Sequence, residues 1–131
     1  MNSFQLLVRD SSHSEMFEDV TSFVGEDDSG SFGIKAGHAR LMASLVFGLA
    51  RFNTEADRWQ YLALPGAILY FADNVLTLNT RRFLVSDDYE RITEALFKQL
   101  ATEEEQLATM KRNLRDIEAQ ILKRLLEMGR D

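Results

Sequence analysis

The chain has 131 residues, of which 45 % are hydrophobic, and it carries a formal net charge of -6. This length allows one sizeable core, and an acidic chain lacks the basic face that binding to nucleic-acid phosphates requires. The absence of cysteine excludes disulfides, a thiolate nucleophile and a cysteine zinc site, and it fits a reducing, cytoplasmic compartment. The start of the chain lacks the blocks of a signal peptide, and no apolar run is long enough to cross a bilayer. Any attachment to a membrane is therefore expected to go through a partner.

The first 85 residues alternate between apolar and other side chains, which predicts β-strands. The apolar positions are Phe4, Leu6 and Val8; Leu45, Phe47 and Leu49; Trp59, Tyr61 and Ala63; Ala67, Leu69 and Phe71; and Leu76 with Leu78. Turn-forming residues occupy positions 25–30, 53–57, 65–66 and 72–74. Short strands separated by such turns predict an antiparallel β-sandwich or barrel over residues 1–85.

From Tyr89 onward the apolar residues recur at steps of three and four, which predicts helix. Ser86 or Asp87 is expected to cap the first helix. Thr102 and Glu105 have the spacing of a capping box, which favours a second helix beginning near residue 101, although a helix that continues through residues 100–106 also fits.

Charge favours pairing of the two predicted helices. Residues 86–106 hold seven acidic and two basic side chains, and residues 107–131 hold six basic and four acidic ones. An antiparallel arrangement would place these opposite net charges of -5 and +2 side by side. The sequence therefore predicts a helical hairpin over residues 86–131, attached to the β domain.

Residues 30–41, GSFGIKAGHARL, contain three of the seven glycines and one of the two histidines. These glycines lack the GxxxxGK[ST] or GxGxxG spacing of a phosphate-binding loop. His38 has no serine elbow or cysteine to activate. The two histidines, His13 and His38, are too few and too far apart in the sequence to form a zinc motif on their own. The acidic residues 26–28 lack a calcium-loop signature. The sequence predicts no catalytic residue, metal or cofactor, and it leaves His38 either as a satisfied loop histidine or as an interface residue.

The same stretch resembles the pattern G-x-[FL]-G-I-x-x-G-H-A of the epsilon subunit of F-type ATP synthases, which is called delta in mitochondria. The matching residues are Gly30, Phe32, Gly33, Ile34, Gly37, His38 and Ala39. The order of segments is also similar to that family: an opening strand FQLLV, an MFEDV segment before the acidic turn, a strand led by Gly48, PGAILYFADNVLTL and a helical end. The resemblance covers nearly the whole chain.

The resemblance implies a non-catalytic subunit of the central rotor stalk, on the cytoplasmic side of the membrane. Its β domain would contact the gamma subunit and the c-ring and couple proton or sodium translocation to ATP synthesis or hydrolysis. The residues expected at these interfaces are Asp28, Ser31, Phe32, Gly33, Gly37, His38 and Arg40. The helices would regulate hydrolysis at the catalytic alpha and beta subunits, through Lys111, Arg112 and Arg115.

Two departures from the family pattern bear on these expectations. Lys35, Ala36 and Arg40 stand where family members usually carry Leu-Pro or Tyr-Pro and a later proline. This is similar to the divergent alternate or N-type F-ATPases, which are linked to sodium. Of the family motif I-D-x-x-R-A at the first helix, Asp88 and Arg91 remain as candidate nucleotide contacts, and the loss of its flanking Ile and Ala argues against tight ATP binding.

A protein of a different class also fits the pattern: a small ligand-binding or protein-binding β-sandwich with a coiled-coil dimerisation tail. Its dimer seam would consist of Leu107, Met110, Leu114, Ile117 and Ile121, which alternate at steps of three and four residues. The sequence alone leaves this alternative open beside the rotor subunit.

Overall fold

The structure is a computed structural model that describes residues 2–129, so residue 1 of the predicted β domain and residues 130–131 of the predicted hairpin lie outside it. Nine β-strands precede one helical segment. The strands are β1 Phe4–Arg9, β2 Ser14–Asp27, β3 Gly30–Lys35, β4 Leu41–Leu45, β5 Gly48–Thr54, β6 Trp59–Leu64, β7 Ala67–Ala72, β8 Val75–Thr80 and β9 Leu84–Ser86. The helical segment consists of α1 Tyr89–Ala95, a π-helical turn Leu96–Leu100 and α2 Ala101–Met128. The predicted β-sandwich followed by a helical part is confirmed.

The strands form one hydrogen-bonded sheet, in the order β4-β7-β8-β1-β2-β5-β6-β9, which folds over at the long strand β2. The first half of β2 pairs with β1, and its second half pairs with β3 and β5. Asp19 adopts a φ of 58° between the two halves, and the register with β5 shifts between Val20 and Ser22. The pairing is antiparallel except between β1 and β8, which run parallel.

Side chains from both halves of the folded sheet fill one core. The fully buried large residues include Leu6, Phe23, Ile34, Phe52, Leu69, Phe71, Leu76 and Leu78. The edge strand β4 approaches β2 across the folded sheet, since the Val46 N–H directly after β4 donates to the Glu26 carbonyl at 3.0 Å. This packing encloses the predicted period-two residues of β1, β7 and β8.

One predicted strand is wrong. Leu45, Phe47 and Leu49 do not lie in a single strand, since β4 ends at Leu45 and β5 begins at Gly48. The exposed residues Val46 and Phe47 lie between them, so the apolar alternation crosses a turn. The cause is the Val46 N–H, which bonds β2 instead of continuing the ladder with β7.

Strand β6 is apolar on both faces because each face packs against a different layer. Leu62 and Leu64 face the sandwich core, whereas Tyr61 and Ala63 pack with the helical segment. The helical residues buried against this outer face are Ile92, Leu96 and Leu100. Their steps of four residues overshoot an α-helical turn, and the wider π-helical turn, in which the Ala101 N–H bonds the Leu96 carbonyl, keeps Leu100 over the sheet.

The helical segment differs from the predicted antiparallel hairpin, because it continues without reversal for 40 residues. The Thr102 hydroxyl donates to the Lys98 carbonyl at 2.8 Å, within the helix, instead of capping a new one. The sequence from Ala67 to Met128 contains neither glycine nor proline that would end the helix. No return helix packs against α2 within the described residues: residues 108–129 are all exposed, and α2 contains no buried residue.

Candidate protein-docking surfaces

The loops of the sandwich gather at two opposite ends, which we name the His38 end and the Asp28 end. The His38 end contains the loop of residues 36–40 and the turn at Asp73 and Asn74. The Asp28 end contains the β2–β3 turn, residues 65–66 and residues 80–82. Ala67 pairs with both Leu45 and Thr80, and the Val46 N–H bonds the Glu26 carbonyl beside the β2–β3 turn, so these segments lie at the same end.

The loop at the His38 end is anchored by the side chain of Asn74. The Gly37 N–H donates to the Asn74 Oδ1 at 3.0 Å, and the Asn74 Nδ2 donates to the Ser3 carbonyl at 2.8 Å. Gly37 has a φ of 77°, in the left-handed region that favours glycine. The loop therefore has a defined shape that is set by the neighbouring β7–β8 turn.

This anchored loop exposes His38 and Arg40. The His38 ring meets the buried Phe71 ring edge-on at 6.0 Å, and its Nδ1 lies 2.7 Å from the Ala39 carbonyl oxygen, so we assign the hydrogen to Nδ1. Arg40 is 73 % exposed, with its Nη2 3.9 Å from the Asp73 Oδ2. These contacts orient both side chains at the surface and satisfy the histidine ring within its own loop.

The β2–β3 turn at the Asp28 end is held by Asp27 and leaves Asp28 exposed. The Ser29 hydroxyl and N–H donate to the Asp27 Oδ1 at 2.6 and 2.9 Å, and these bonds lower the pKa of the Asp27 carboxyl. Gly30 follows with a φ of 132°. The turn therefore presents the Asp28 carboxylate to solvent without using it internally in any hydrogen bond or ion pair described for residues 2–129.

Strand β3 connects the two ends, and it separates the predicted interface residues into two groups. Asp28 and exposed Ser31 lie at one end and His38 with Arg40 at the other, roughly 20 Å apart for a strand of this length. Phe32 is half-buried, and it packs against the sandwich core. The exposed Gly33 pairs with Val24 in the register with β2. The predicted residues therefore do not form one site.

The structure reveals a surface that the sequence analysis missed, on the outer face of the sheet formed by β4, β7, β8, β1 and β2. Directly paired residues form one row across these five strands: Met42, Tyr70, Thr77, Leu7 and Met16. Ile68 extends the row along β7. The exposed fractions are 69 % for Met42, 50 % for Met16 and 49 % for Ile68. We call these six residues the apolar band.

The apolar band lies on the side of the sandwich away from the helical segment, which packs on β6 and β9. A polar row borders it, where the Arg9 Nε donates to the Asn79 Oδ1 at 2.6 Å. Arg40 precedes Met42 by two residues, so the band adjoins the loop at the His38 end. An exposed apolar row with a polar border is typical of a protein-docking surface. One sequence signal could have identified this surface: in these strands several of the outward-facing positions, which alternate with the core positions, are also apolar.

The predicted nucleotide contacts, Asp88 and Arg91, lie at the start of α1. Asp88 caps α1, with its Oδ1 accepting the Arg91 N–H at 3.1 Å, and its own N–H donates to the Ser86 hydroxyl at 3.0 Å. The cap is thus one residue beyond the predicted Ser86 or Asp87. The Arg91 side chain is exposed.

The predicted regulatory residues Lys111, Arg112 and Arg115 are exposed on α2, beyond the sandwich. Ion pairs of Arg81 with Glu104 and of Arg82 with Glu103 mark where the helix passes the Asp28 end.

Within residues 2–129 there is no group of three or more potential metal-ligating side chains. The helices in this part of the chain also include none that is long and apolar enough to cross a membrane.

Comparison with known proteins agrees with this architecture. Residues 3–85 match the family described as "ATP synthase, Delta/Epsilon chain, beta-sandwich domain". Over 83 residues the chain is 30 % identical to "ATP synthase epsilon chain 2" of Cereibacter sphaeroides, a match that covers 63 % of this chain and 57 % of that relative.

Two solved structures show the same fold at low sequence identity. A chain of the Euglena gracilis mitochondrial ATP synthase, in a structure of OSCP, F1 and c-ring, matches with a TM-score of 0.61 and 18 % identity over 72 % of this chain and 62 % of that one. A chain of the Tetrahymena thermophila mitochondrial ATP synthase central stalk and c-ring matches with a TM-score of 0.53 and 12 % identity over 61 % and 64 %. Each match spans less than two thirds of the relative's own length. The chain belongs to the ATP synthase delta/epsilon chain family, whose β-sandwich domain occupies residues 3–85.

Proposed function

We propose that the chain is a non-catalytic rotor subunit, in the central stalk of an F-type ATP synthase or ATPase. The apolar band is the observation that carries this proposal, because a docking subunit needs an exposed apolar surface on a rigid scaffold. The related proteins support it, since they are an ATP synthase epsilon chain and chains of ATP synthase assemblies that include the c-ring. The subunit passes torque between ion translocation, of protons or sodium ions, and ATP synthesis or hydrolysis.

The gamma subunit is the proposed partner of the apolar band and of His38 and Arg40 beside it. Met42 and Tyr70 are directly paired across β4 and β7, so they form one continuous contact surface at the β4 end of the band. Aromatic residues, methionine and arginine are the types enriched at protein interfaces. Arg40 supplies a charged border that favours an acidic segment of gamma.

The c-ring is the proposed partner of the Asp28 end. The turn presents a free carboxylate at Asp28, with Ser31 exposed beside it, which suits a polar or basic loop of the c subunit. Contact with the c-ring holds the chain at the cytoplasmic side of the membrane as a peripheral part of the complex. The two predicted groups of interface residues then serve two partners, in line with their separation by β3.

Regulation of hydrolysis by the helical segment requires a conformation other than the one described. The Arg81–Glu104 and Arg82–Glu103 ion pairs direct α2 past the Asp28 end, the end proposed to face the c-ring. Lys111, Arg112 and Arg115 reach the catalytic alpha and beta subunits only if the helix turns back. A change of direction at the π-helical turn is the simplest route, since π-helical turns inside α-helices frequently occur at functional sites. Asp88 and Arg91 are proposed to bind ATP weakly or not at all, since the Asp88 carboxylate already caps α1.

Binding of gamma tests the proposal. The substitution Met42→Asp places a charge on the most exposed residue of the apolar band, and we expect it to weaken gamma binding at least about tenfold, as at an interface hot spot. His38→Ala and Arg40→Glu are expected to have smaller effects. Met110→Asp is the matched control, since Met110 is similarly exposed, at 59 %, but lies on α2.

Calorimetry or surface plasmon resonance with gamma from the same complex measures these affinities, and circular dichroism checks that each variant is folded. Wild-type affinity of a folded Met42→Asp variant would contradict the proposed gamma surface. For regulation, ATP hydrolysis of the complex is compared between the full chain and a chain ending at Ser86. Equal rates would remove the regulatory role.

A further inference from the structure

The exposed part of α2 carries an apolar stripe with the spacing of a coiled-coil seam. In heptad order, Leu107, Leu114, Ile121 and Met128 take the a positions, and Met110, Ile117 and Arg124 take the d positions. Met110, Leu114, Ile117 and Ile121 are each more than half exposed. Most of the stability of helices in proteins comes from tertiary packing of an apolar face, which this part of α2 lacks, so a partner that covers the stripe would stabilise it.

The charges beside the stripe match a second copy of the same helix that runs antiparallel. Lys111 and Glu118 occupy e positions, one heptad apart. In an antiparallel pair that places Leu114 opposite Ile117 of the second copy, e positions face e positions. Lys111 of each chain then lies beside Glu118 of the other, which gives two symmetric pairs of opposite charge.

A parallel pair of helices lacks this complementarity. It would bring Arg124 against Arg124 of the second copy inside the seam, and its e and g neighbours would join Lys111 to Gln106 and Glu118 to Asn113, without opposite charges. In the antiparallel pair, Arg124 instead approaches Leu107 and the acidic residues 103–105 of the other chain. The charge pattern therefore distinguishes the two directions.

We propose that the free protein forms a homodimer through α2, as an antiparallel coiled coil with Leu114 and Ile117 at its centre. This contact goes beyond the proposed rotor function and uses neither the apolar band nor the His38 end. Because the two sandwiches lie at opposite ends of the coiled coil, the dimer leaves both apolar bands open. Dimer formation sequesters only the helix stripe.

Sedimentation equilibrium of the full chain over a range of concentrations tests the dimer. Lys111→Glu alone, or Glu118→Lys alone, places like charges at both pairs and is expected to raise the dimer dissociation constant about tenfold. The double variant with both substitutions restores opposite charges and is expected to recover the wild-type constant. Arg112→Glu, at the outward f position one residue from Lys111, is the matched control and is expected to leave the constant unchanged.

The direction of the helices is read from spin labels on single cysteines, since the chain has no cysteine of its own. In the antiparallel dimer, the distance between labels at Gln106 exceeds that at Asn113 by roughly 20 Å along the axis, whereas a parallel pair gives equal distances. A chain that stays monomeric at all concentrations would overturn the proposal. So would a dimer that the charge variants leave unaffected, or equal label distances at the two positions. None of these results bears on binding to gamma.

Discussion

The sandwich and the projecting part of α2 are both rich in large apolar side chains, but they place them in opposite environments. The sandwich buries residues such as Phe52 and Leu69 completely, whereas Leu114 and Ile121 on α2 are more than half exposed. A sheet that folds over at β2 encloses its own period-two residues. A straight helix that leaves the sandwich has no second layer within the described chain. The comparison indicates that the sandwich stabilises itself, while the stripe on α2 is available to a partner.

The largest expected effect comes from a cavity in the sandwich. Phe52→Ala removes a fully buried ring that contacts Phe17, with ring centroids 4.8 Å apart, and we expect a loss of about 3–5 kcal/mol in the free energy of unfolding. Leu114→Ala on α2 is expected to change it by about 0.5 kcal/mol or less in the monomer. Urea unfolding at low protein concentration measures both. Similar losses for the two variants would show that α2 packs within the monomer.

A smaller effect is expected at the junction between the two regions, where Asp88 caps the helical segment. Asp88→Ala removes the bond from the Arg91 N–H, and a lost N-cap costs about 1 kcal/mol. Asp87→Ala is the control, since Asp87 is an exposed neighbour that does not cap the helix. Thermal unfolding followed by the helical signal compares the variants. Equal effects of the two substitutions would argue that general charge at the helix start matters and the cap does not.

The third effect is confined to acidic pH and to the turn after β1. The His13 and Ser12 N–H groups donate to the Asp10 carboxylate at 2.9 and 2.8 Å and lower its pKa to about 2 from an ordinary value near 3.8. A depressed folded-state pKa gives stability that is present above pH 3.8 and is lost as the pH falls toward 2. Asp10→Asn is expected to flatten this part of the profile of unfolding free energy against pH. An unchanged slope between pH 4 and 2 would assign the acid sensitivity to other carboxylates.

The sequence identified those features of the fold that depend on local pattern. Alternation located β1, β7 and β8, because one face of each strand is buried. It failed at Val46 and Phe47, where apolar residues occupy a turn whose N–H bonds a distant strand. The spacing of Thr102 and Glu105 favours a helix start, but the Thr102 hydroxyl donates to the Lys98 carbonyl within the continuous helix and does not cap a new one. A capping pattern cannot reveal that competition.

The candidate surfaces were less accessible to sequence analysis because they depend on strand pairing. Met42, Tyr70 and Leu7 come from three separate strands, and only the register of the sheet makes them one row. The glycine-rich stretch was singled out correctly as a shaped loop, but its anchor, Asn74, lies 37 residues away. Asp28 and His38 are only ten residues apart in the sequence. The extended strand between them places them at opposite ends.

Cross-linking from single cysteines tests the central claim most directly, namely that the apolar band and the Asp28 end of one sandwich face different partners in a rotor. The native chain contains no cysteine, so Met42→Cys and Asp28→Cys each give one reactive position. In the assembled complex we expect the cysteine at position 42 to cross-link to gamma and the one at position 28 to cross-link to subunit c. Cross-links of both positions to the catalytic alpha and beta subunits, or to neither gamma nor c, would contradict the account.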